Sequence, residues 1–191
     1  MTERTYTWTW GGWRWIARRV RVPLSFLIAV LFLWLARPTV LSLAIGSVLT
    51  TAGVALRALA SGHVRKDRVL TTNGPYAYTR NPLYLGSILI AAAFAIAGWN
   101  PIVGVVMVLL FVVIYLPIIR GEEEFLTANF PEYAGYKQRV PRLFPRLRAG
   151  AEGHSAFSME LYRRHREYNA ALGTLAMLLL LIFKMLFWKV R

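Results

Sequence analysis

The chain contains no cysteine, which excludes disulfides, thiolate metal sites and cysteine nucleophiles. Histidine is nearly absent as well: His63, His154 and His165 lie far apart and show no metal-ligand spacing. Acidic residues are scarce, nine against 23 Lys and Arg among 191 residues, for a formal charge of +14. Charged residues together reach only 17%, where about a quarter is usual for a soluble domain. No glycine-rich phosphate loop, internal repeat or low-complexity tract is visible, so a nucleotide polyphosphate fits poorly as a ligand. Apolar residues are abundant instead, at 57%, with a mean hydropathy of +0.45. A nucleic-acid binder would share the charge but not the hydropathy, so no nucleic-acid partner is expected. The composition describes one compact integral membrane domain with basic water-facing segments.

Five apolar stretches stand out, at residues 22–36, 40–56, 83–99, 102–119 and 170–187. A helix crossing the hydrocarbon core needs about 20 residues. The first stretch is short and has Pro23 at its start; it spans if Arg37 snorkels and the flanking turns are counted. Lys184 in the fifth stretch is expected to snorkel, as is Arg57 at the inner end of the second. The expected fold is therefore all-α and polytopic, with about five transmembrane helices arranged as hairpins. Pro38 and Asn100-Pro101 supply the short turns. Gly46, Ala52 and Gly53 permit close helix contacts in the second span.

Loop charges set the expected orientation. Arg4, Arg14, Arg18, Arg19 and Arg21 precede the first span, and Arg65, Lys66, Arg68 and Arg80 lie between the second and third. Nine further Lys and Arg occupy residues 120–168, whereas the other connections carry Arg37 or none. The positive-inside rule places the N-terminus and both long loops in the cytoplasm. Trp34, Trp99 and Trp188 then fall at outer ends, and Trp8, Trp10, Trp13 and Trp15 on the inner side, as two aromatic belts. Residues 1–21 read as an interfacial basic and aromatic segment with no resemblance to a cleavable signal peptide. Residues 150–191 read as an interfacial stretch followed by the last span, and a prokaryotic inner membrane is the expected host.

The chemistry-bearing residues sit in the two inner loops. In Asn73-Gly74-Pro75-Tyr76-Ala77-Tyr78-Thr79-Arg80-Asn81-Pro82-Leu83-Tyr84-Leu85-Gly86, Asn81 is placed to cap a helix that begins at Pro82. The free backbone N–H groups of that start and the charge of Arg80 favour an anion. Tyr76, Tyr78 and Tyr84 offer aromatic faces with hydroxyls, and Gly86 leaves room for a ligand. A plain capped helix with interfacial tyrosines would give the same stretch. The second stretch, Arg120-Gly121-Glu122-Glu123-Glu124-Phe125-Leu126, gathers three of the nine acids. Such a cluster suits a cation or sugar hydroxyls; alternatively, Gly121 ends the membrane helix and the glutamates open a soluble one. The two stretches together match S-adenosylmethionine, which carries a carboxylate, an ammonium, a sulfonium and a ribose.

Gly74-Pro75-Tyr76 and Arg80-Asn81-Pro82-Leu83-Tyr84-Leu85-Gly86 resemble the Arg-His-Pro-x-Tyr-x-Gly signature of the isoprenylcysteine carboxyl methyltransferase and phospholipid methyltransferase superfamily. Glu122-Glu123-x-x-Leu126 and Phe130-Pro131-Glu132-Tyr133-x-x-Tyr136-Lys137-x-Arg139-Val140-Pro141 resemble its Glu-Glu pair and its Glu-Tyr-x-x-Tyr…Val-Pro run. The resemblance covers residues 40–145. It implies an S-adenosylmethionine-dependent membrane methyltransferase of the isoprenylcysteine type, with a phospholipid amine as the alternative acceptor. Tyr76, Arg80, Asn81, Pro82, Tyr84, Gly86, Glu122, Glu123, Tyr133 and Tyr136 are the implied cofactor contacts, and no metal is implied. Arg120 and Arg139 are candidates to orient a lipid or lipidated acceptor entering from the bilayer. Asn81 replaces the family histidine; its amide can still donate a hydrogen bond but cannot act as a base. Two readings of other classes compete: a non-catalytic membrane scaffold and an NADPH-dependent membrane reductase.

Overall fold

The computed structural model describes residues 26–65, 69–148 and 156–188. The expectations for residues 1–21, for His154 and for the last three residues lie outside them. Every regular element among the described residues is helical. Helix α1 (Phe26–Leu35) is followed by α2 (Val40–Ser61), a 3₁₀ turn at Gly74–Ala77, and α3 (Pro82–Ala97). Next come α4 (Pro101–Leu110), a π-helical turn (Phe111–Tyr115) and α5 (Leu116–Asn129), which form one continuous helix Pro101–Asn129. The short helices α6 (Tyr133–Arg139) and α7 (Met159–Arg164) precede α8 (Tyr168–Phe187).

Among the described residues, three helices are long and apolar enough to cross a membrane: Val40–Ser61, Pro101–Asn129 and Tyr168–Phe187. Helices α1 and α3 are apolar but shorter. The protein is thus a polytopic all-α membrane protein. Its outward apolar side chains, such as Val48, Val105 and Leu179, are exposed because they face lipid rather than a protein core.

The α2–α3 hairpin is the central pairing. Small residues let the two backbones meet. A Cβ on Gly46 would lie 2.6 Å from Ala97 Cβ, and one on Gly53 would lie 2.9 Å from the Gly86 carbonyl oxygen. Thr39 caps α2 in a reciprocal box with Ser42, whose hydroxyl also donates to the Ala97 carbonyl at 3.0 Å. At this same end, Arg37 N–H donates to Gly98 O (2.7 Å) and Asn100 Nδ2 to Leu35 O (3.0 Å). Lys184 also reaches this end. Its ammonium donates to the carbonyls of Leu33 and Trp34, satisfying the open C-terminus of α1. Trp34, Trp99 and Trp188 are all exposed.

The structure decides one alternative and changes one expectation. Gly121 does not end the membrane helix; it is buried inside α5, and the helix runs on to Asn129. The glutamates therefore project from a continuing helix. Asn81 does precede α3, but its side chain makes no cap. Its amide is turned toward the Glu123 carboxylate and the Arg142 carbonyl.

Candidate functional site

The two motif loops meet at the end of the bundle opposite Lys184. Tyr76 lies in the 3₁₀ turn, Arg80 and Asn81 lead into α3, Glu122 projects from α5, and α6 adds Tyr133 and Tyr136. All of them, with Tyr84, line one cavity of about 520 Å³. That volume is in the range of about 300–1,000 Å³ usual for small-molecule sites.

Aromatic residues form much of the wall. Tyr136 is buried, and its hydroxyl donates to the Tyr76 carbonyl at 2.7 Å, joining α6 to the 3₁₀ turn. Tyr133 packs against Tyr136 with ring centroids 5.9 Å apart. Burial pushes the Tyr133 phenol up to about 12; the Glu123 carboxylate adds to this and the Arg80 guanidinium opposes it. Burial likewise raises the Tyr76 phenol far above its ordinary value. Both therefore remain neutral donors at physiological pH. Tyr84 donates to Glu122 Oε1 at 2.9 Å and stands edge-on to Tyr115, with centroids 6.1 Å apart.

The charged groups divide into two sets. Glu123 is buried beside the cavity rather than in its wall. Arg142 donates to its Oε2 through Nε (3.0 Å) and NH2 (2.6 Å). Arg80 NH2 lies 3.3 Å from Oε1, and Asn81 Nδ2 donates to the same oxygen at 3.3 Å. These bonds to Glu123 raise the Arg142 guanidinium above its usual value. The second set is Arg57 and Glu167. Arg57 does not snorkel: its NH2 lies 2.8 Å from Glu167 Oε2, and NH1 donates to Ser87 Oγ. Both members of this pair line the cavity.

Some polar atoms of the wall residues have no hydrogen-bond partner among the described residues. Arg80 is almost fully buried, and its Nε and NH1 meet no acceptor in good geometry among the described residues; the Tyr133 hydroxyl interacts with this guanidinium and with no other group there. Buried donors of this kind are costly unless something fills the site. Arg80 and Tyr133 both line the cavity, and the positive charge of the guanidinium favours an anionic group such as a carboxylate.

The remaining expectations sort by position. Pro82 is buried at the first turn of α3, where its missing N–H costs nothing. Gly86 offers no room to a ligand: a Cβ there would meet Arg57 Cγ at 2.6 Å and the Gly53 carbonyl at 2.8 Å. Its task is the α2–α3 approach. Arg120 and Arg139 are exposed and lie outside the cavity wall, so neither is positioned on an acceptor held there. The arginines of the wall are Arg57, Arg65 and Arg80. Sequence reasoning missed Arg57 and Glu167 as site residues. Their signal was a charge deep in an apolar run and a single acid ahead of the last span.

A second cavity of about 580 Å³ lies among α1, α3, α4 and α8. Phe32, Ile88, Phe94, Met107, Ile114 and Met177 contribute to an almost wholly apolar lining. Ser87 and Tyr115 line both cavities and so mark the seam between them. The π-helical turn ends at Tyr115, and single π turns often occur where a helix reshapes a functional site. Among the described residues, no group of three or more His, Cys, Asp or Glu could hold a metal ion.

The chain is similar to the cobalt-zinc-cadmium resistance protein CzcN of Cupriavidus metallidurans, with 37% identity over 136 residues, covering 66% of this chain and 62% of the relative. It is also similar to the nickel-cobalt-cadmium resistance protein NccN of Alcaligenes xylosoxydans xylosoxydans, with 35% identity over 83 residues, covering 44% and 39%. The chain thus spans less than two thirds of either relative's length. No solved structure matches it. The phospholipid methyltransferase family matches residues 24–133, more than half of the chain and every helix from α1 to α5, and it is to this family of membrane methyltransferases that the chain belongs.

Proposed function

We propose that the protein transfers a methyl group from S-adenosylmethionine to a lipophilic acceptor drawn from the bilayer. The single observation that carries this reading is the junction of a polar, donor-rich cavity with an apolar one at Ser87 and Tyr115. A soluble cofactor and a hydrocarbon-bearing acceptor need two such chambers with a common wall.

The residues of the polar cavity suit the cofactor. The Arg80 guanidinium in the wall is the cation for its carboxylate. The carboxylate of Glu122, aligned by Tyr84, is an acceptor for an ammonium or ribose hydroxyl. The faces of Tyr76, Tyr133 and Tyr136 suit an aromatic base and a sulfonium, which a π-face attracts as it does other cations. When bound, S-adenosylmethionine supplies an already activated methyl carbon. The chain's share of the catalysis is then to orient and to exclude water.

Ser87 and Tyr115 hold the acceptor's reacting end at the seam, while the apolar lining takes its hydrocarbon body. A carboxylate acceptor of the isoprenylcysteine type arrives ionised and needs no base. A phospholipid amine is the alternative and must first lose a proton. The test is transfer of a tritiated methyl group from S-adenosylmethionine into solvent-extractable material by the purified full-length protein in nanodiscs. Isoprenylcysteine analogues and phosphatidylethanolamine are supplied separately. Label that enters neither an added nor an endogenous lipid, with folded protein, would remove the catalytic reading and favour a scaffold. The cytoplasmic placement of this cavity belongs to the same proposal and rests on the basic loops around it.

A further inference from the structure

The stretch that follows α6 carries two apolar side chains that no described residue covers: Phe144 is 85% exposed and Leu147 is fully exposed. They do not sit on a loose loop. Pro141 O accepts from Arg80 N–H at 2.9 Å, and Arg142 O accepts from Thr79 Oγ1 and Asn81 Nδ2, both at 3.1 Å. Arg146 N–H donates to Tyr78 O at 3.1 Å and its Nε to Ala77 O at 3.0 Å. The Arg142 guanidinium holds Glu123. Residues 141–146 are therefore a strap stitched along residues 77–81, with Pro141 and Pro145 fixing the backbone further.

Residues 77–81 run directly into α3, so the strap lies at the level where an apolar membrane helix begins. Exposed Lys137, Arg139 and Arg148 flank the two apolar side chains. Apolar wedges among basic residues at such a level have the composition of a membrane-surface contact. We propose that this strap is an anchor for an anionic bilayer surface, with Phe144 and Leu147 entering the headgroup region, Arg139 and Arg148 meeting lipid phosphates, and Lys137 remaining on the water side. Because the same strap holds Thr79, Arg80, Asn81 and Glu123, its seating steadies one wall of the polar cavity. The inference does not depend on the identity of the cofactor.

The absence of native cysteine makes the test direct. Phe144→Cys, Leu147→Cys and, as a water-facing control, Lys137→Cys are spin-labelled in the full-length protein. Each is reconstituted in nanodiscs of phosphatidylcholine with and without phosphatidylglycerol. Relaxation by oxygen, which favours lipid, is compared with relaxation by a water-soluble nickel chelate. The expected result is oxygen-dominated relaxation at 144 and 147, nickel-dominated relaxation at 137, and a deeper position at 144 and 147 when phosphatidylglycerol is present. Either labelled site suffices. Nickel-dominated relaxation at both sites in both lipids would overturn the anchor. Equal depth in the two lipids would overturn its preference for anionic surfaces. Spin–spin broadening would overturn it in favour of a second copy of the chain as the cover. As a second readout, Phe144→Ser/Leu147→Ser should lose amide-exchange protection at Arg80, whose N–H is bonded to the strap. Unchanged protection would overturn the coupling to the cavity wall.

Discussion

Arg142 grips one carboxylate oxygen of Glu123 with two nitrogens, at 3.0 and 2.6 Å, nineteen positions along the chain. This contact makes Glu123 different from its neighbour Glu122. Glu123 is buried among Arg142, Arg80 and Asn81, whereas Glu122 lines the cavity and accepts from Tyr84. Removing one member of a buried charge pair leaves the others uncompensated, at about 3–5 kcal/mol. Glu123→Ala should therefore lower the unfolding temperature steeply in detergent, and Glu122→Gln should leave it nearly unchanged. Equal thermal shifts for the two variants would contradict this division of roles.

Arg57 and Glu167 join α2 to the start of α8 across 110 residues. Either single substitution by Leu strands a half-buried charge. The double substitution removes both charges and should recover part of the loss. A coupling of about 0.5–3 kcal/mol is the range for residues in direct contact. Thermal unfolding of the four proteins in a double-mutant cycle measures it, and additive losses would show that the pair is not coupled.

The α2–α3 seam tolerates no side chain at its closest point. A methyl on Gly86 would press on the Gly53 carbonyl, and one on Gly53 would press on the Gly86 carbonyl. Backbone cannot rotate out of the way as a flexible side chain can. Gly53→Ala and Gly86→Ala should each cost about 1–3 kcal/mol, the range for overpacking. Gly135→Ala, which meets nothing within 4 Å, is the matched control.

Tyr133 gives an alkaline signature. Its phenol is pushed from 10.0 up to about 12, chiefly by burial. Between these values the folded protein holds a proton that the unfolded chain has released, so stability falls as pH rises. The contribution is fully present below pH 10 and is lost through about pH 12. Tyr133→Phe should flatten that part of the stability-against-pH curve. An unchanged slope would show that the phenol is not held neutral by its surroundings.

Much of this was legible in the sequence because hydrocarbon imposes a simple rule on backbone. Residues 83–99 and 170–187 mark helices that begin and end within about two residues of Pro82–Ala97 and Tyr168–Phe187. The cavity was legible through its tyrosines, Arg80, Asn81 and Glu122, polar residues gathered in the two loop stretches beside apolar spans. The π-helical turn was not, since a run such as Phe111-Val112-Val113-Ile114-Tyr115 has no pattern that separates it from ordinary helix. Nor was the role of Gly86, because a glycine that admits a ligand and one that admits a helix look alike until the neighbour is known. Arg57 read as a snorkelling side chain because its partner, Glu167, lies far away in sequence. Arg120 and Arg139 carry the right charge for an acceptor, but charge alone does not place a residue in a wall.

The most direct measurement is calorimetric titration of the full-length protein in nanodiscs with S-adenosylmethionine and, separately, with NADPH. Wild type is compared with Glu122→Gln and Tyr84→Phe, which alter the cavity wall without touching the buried Glu123 network. The account predicts that S-adenosylmethionine binds, that both variants weaken it while remaining folded, and that NADPH does not bind. Binding of NADPH alone, or of neither ligand by folded protein, would contradict it.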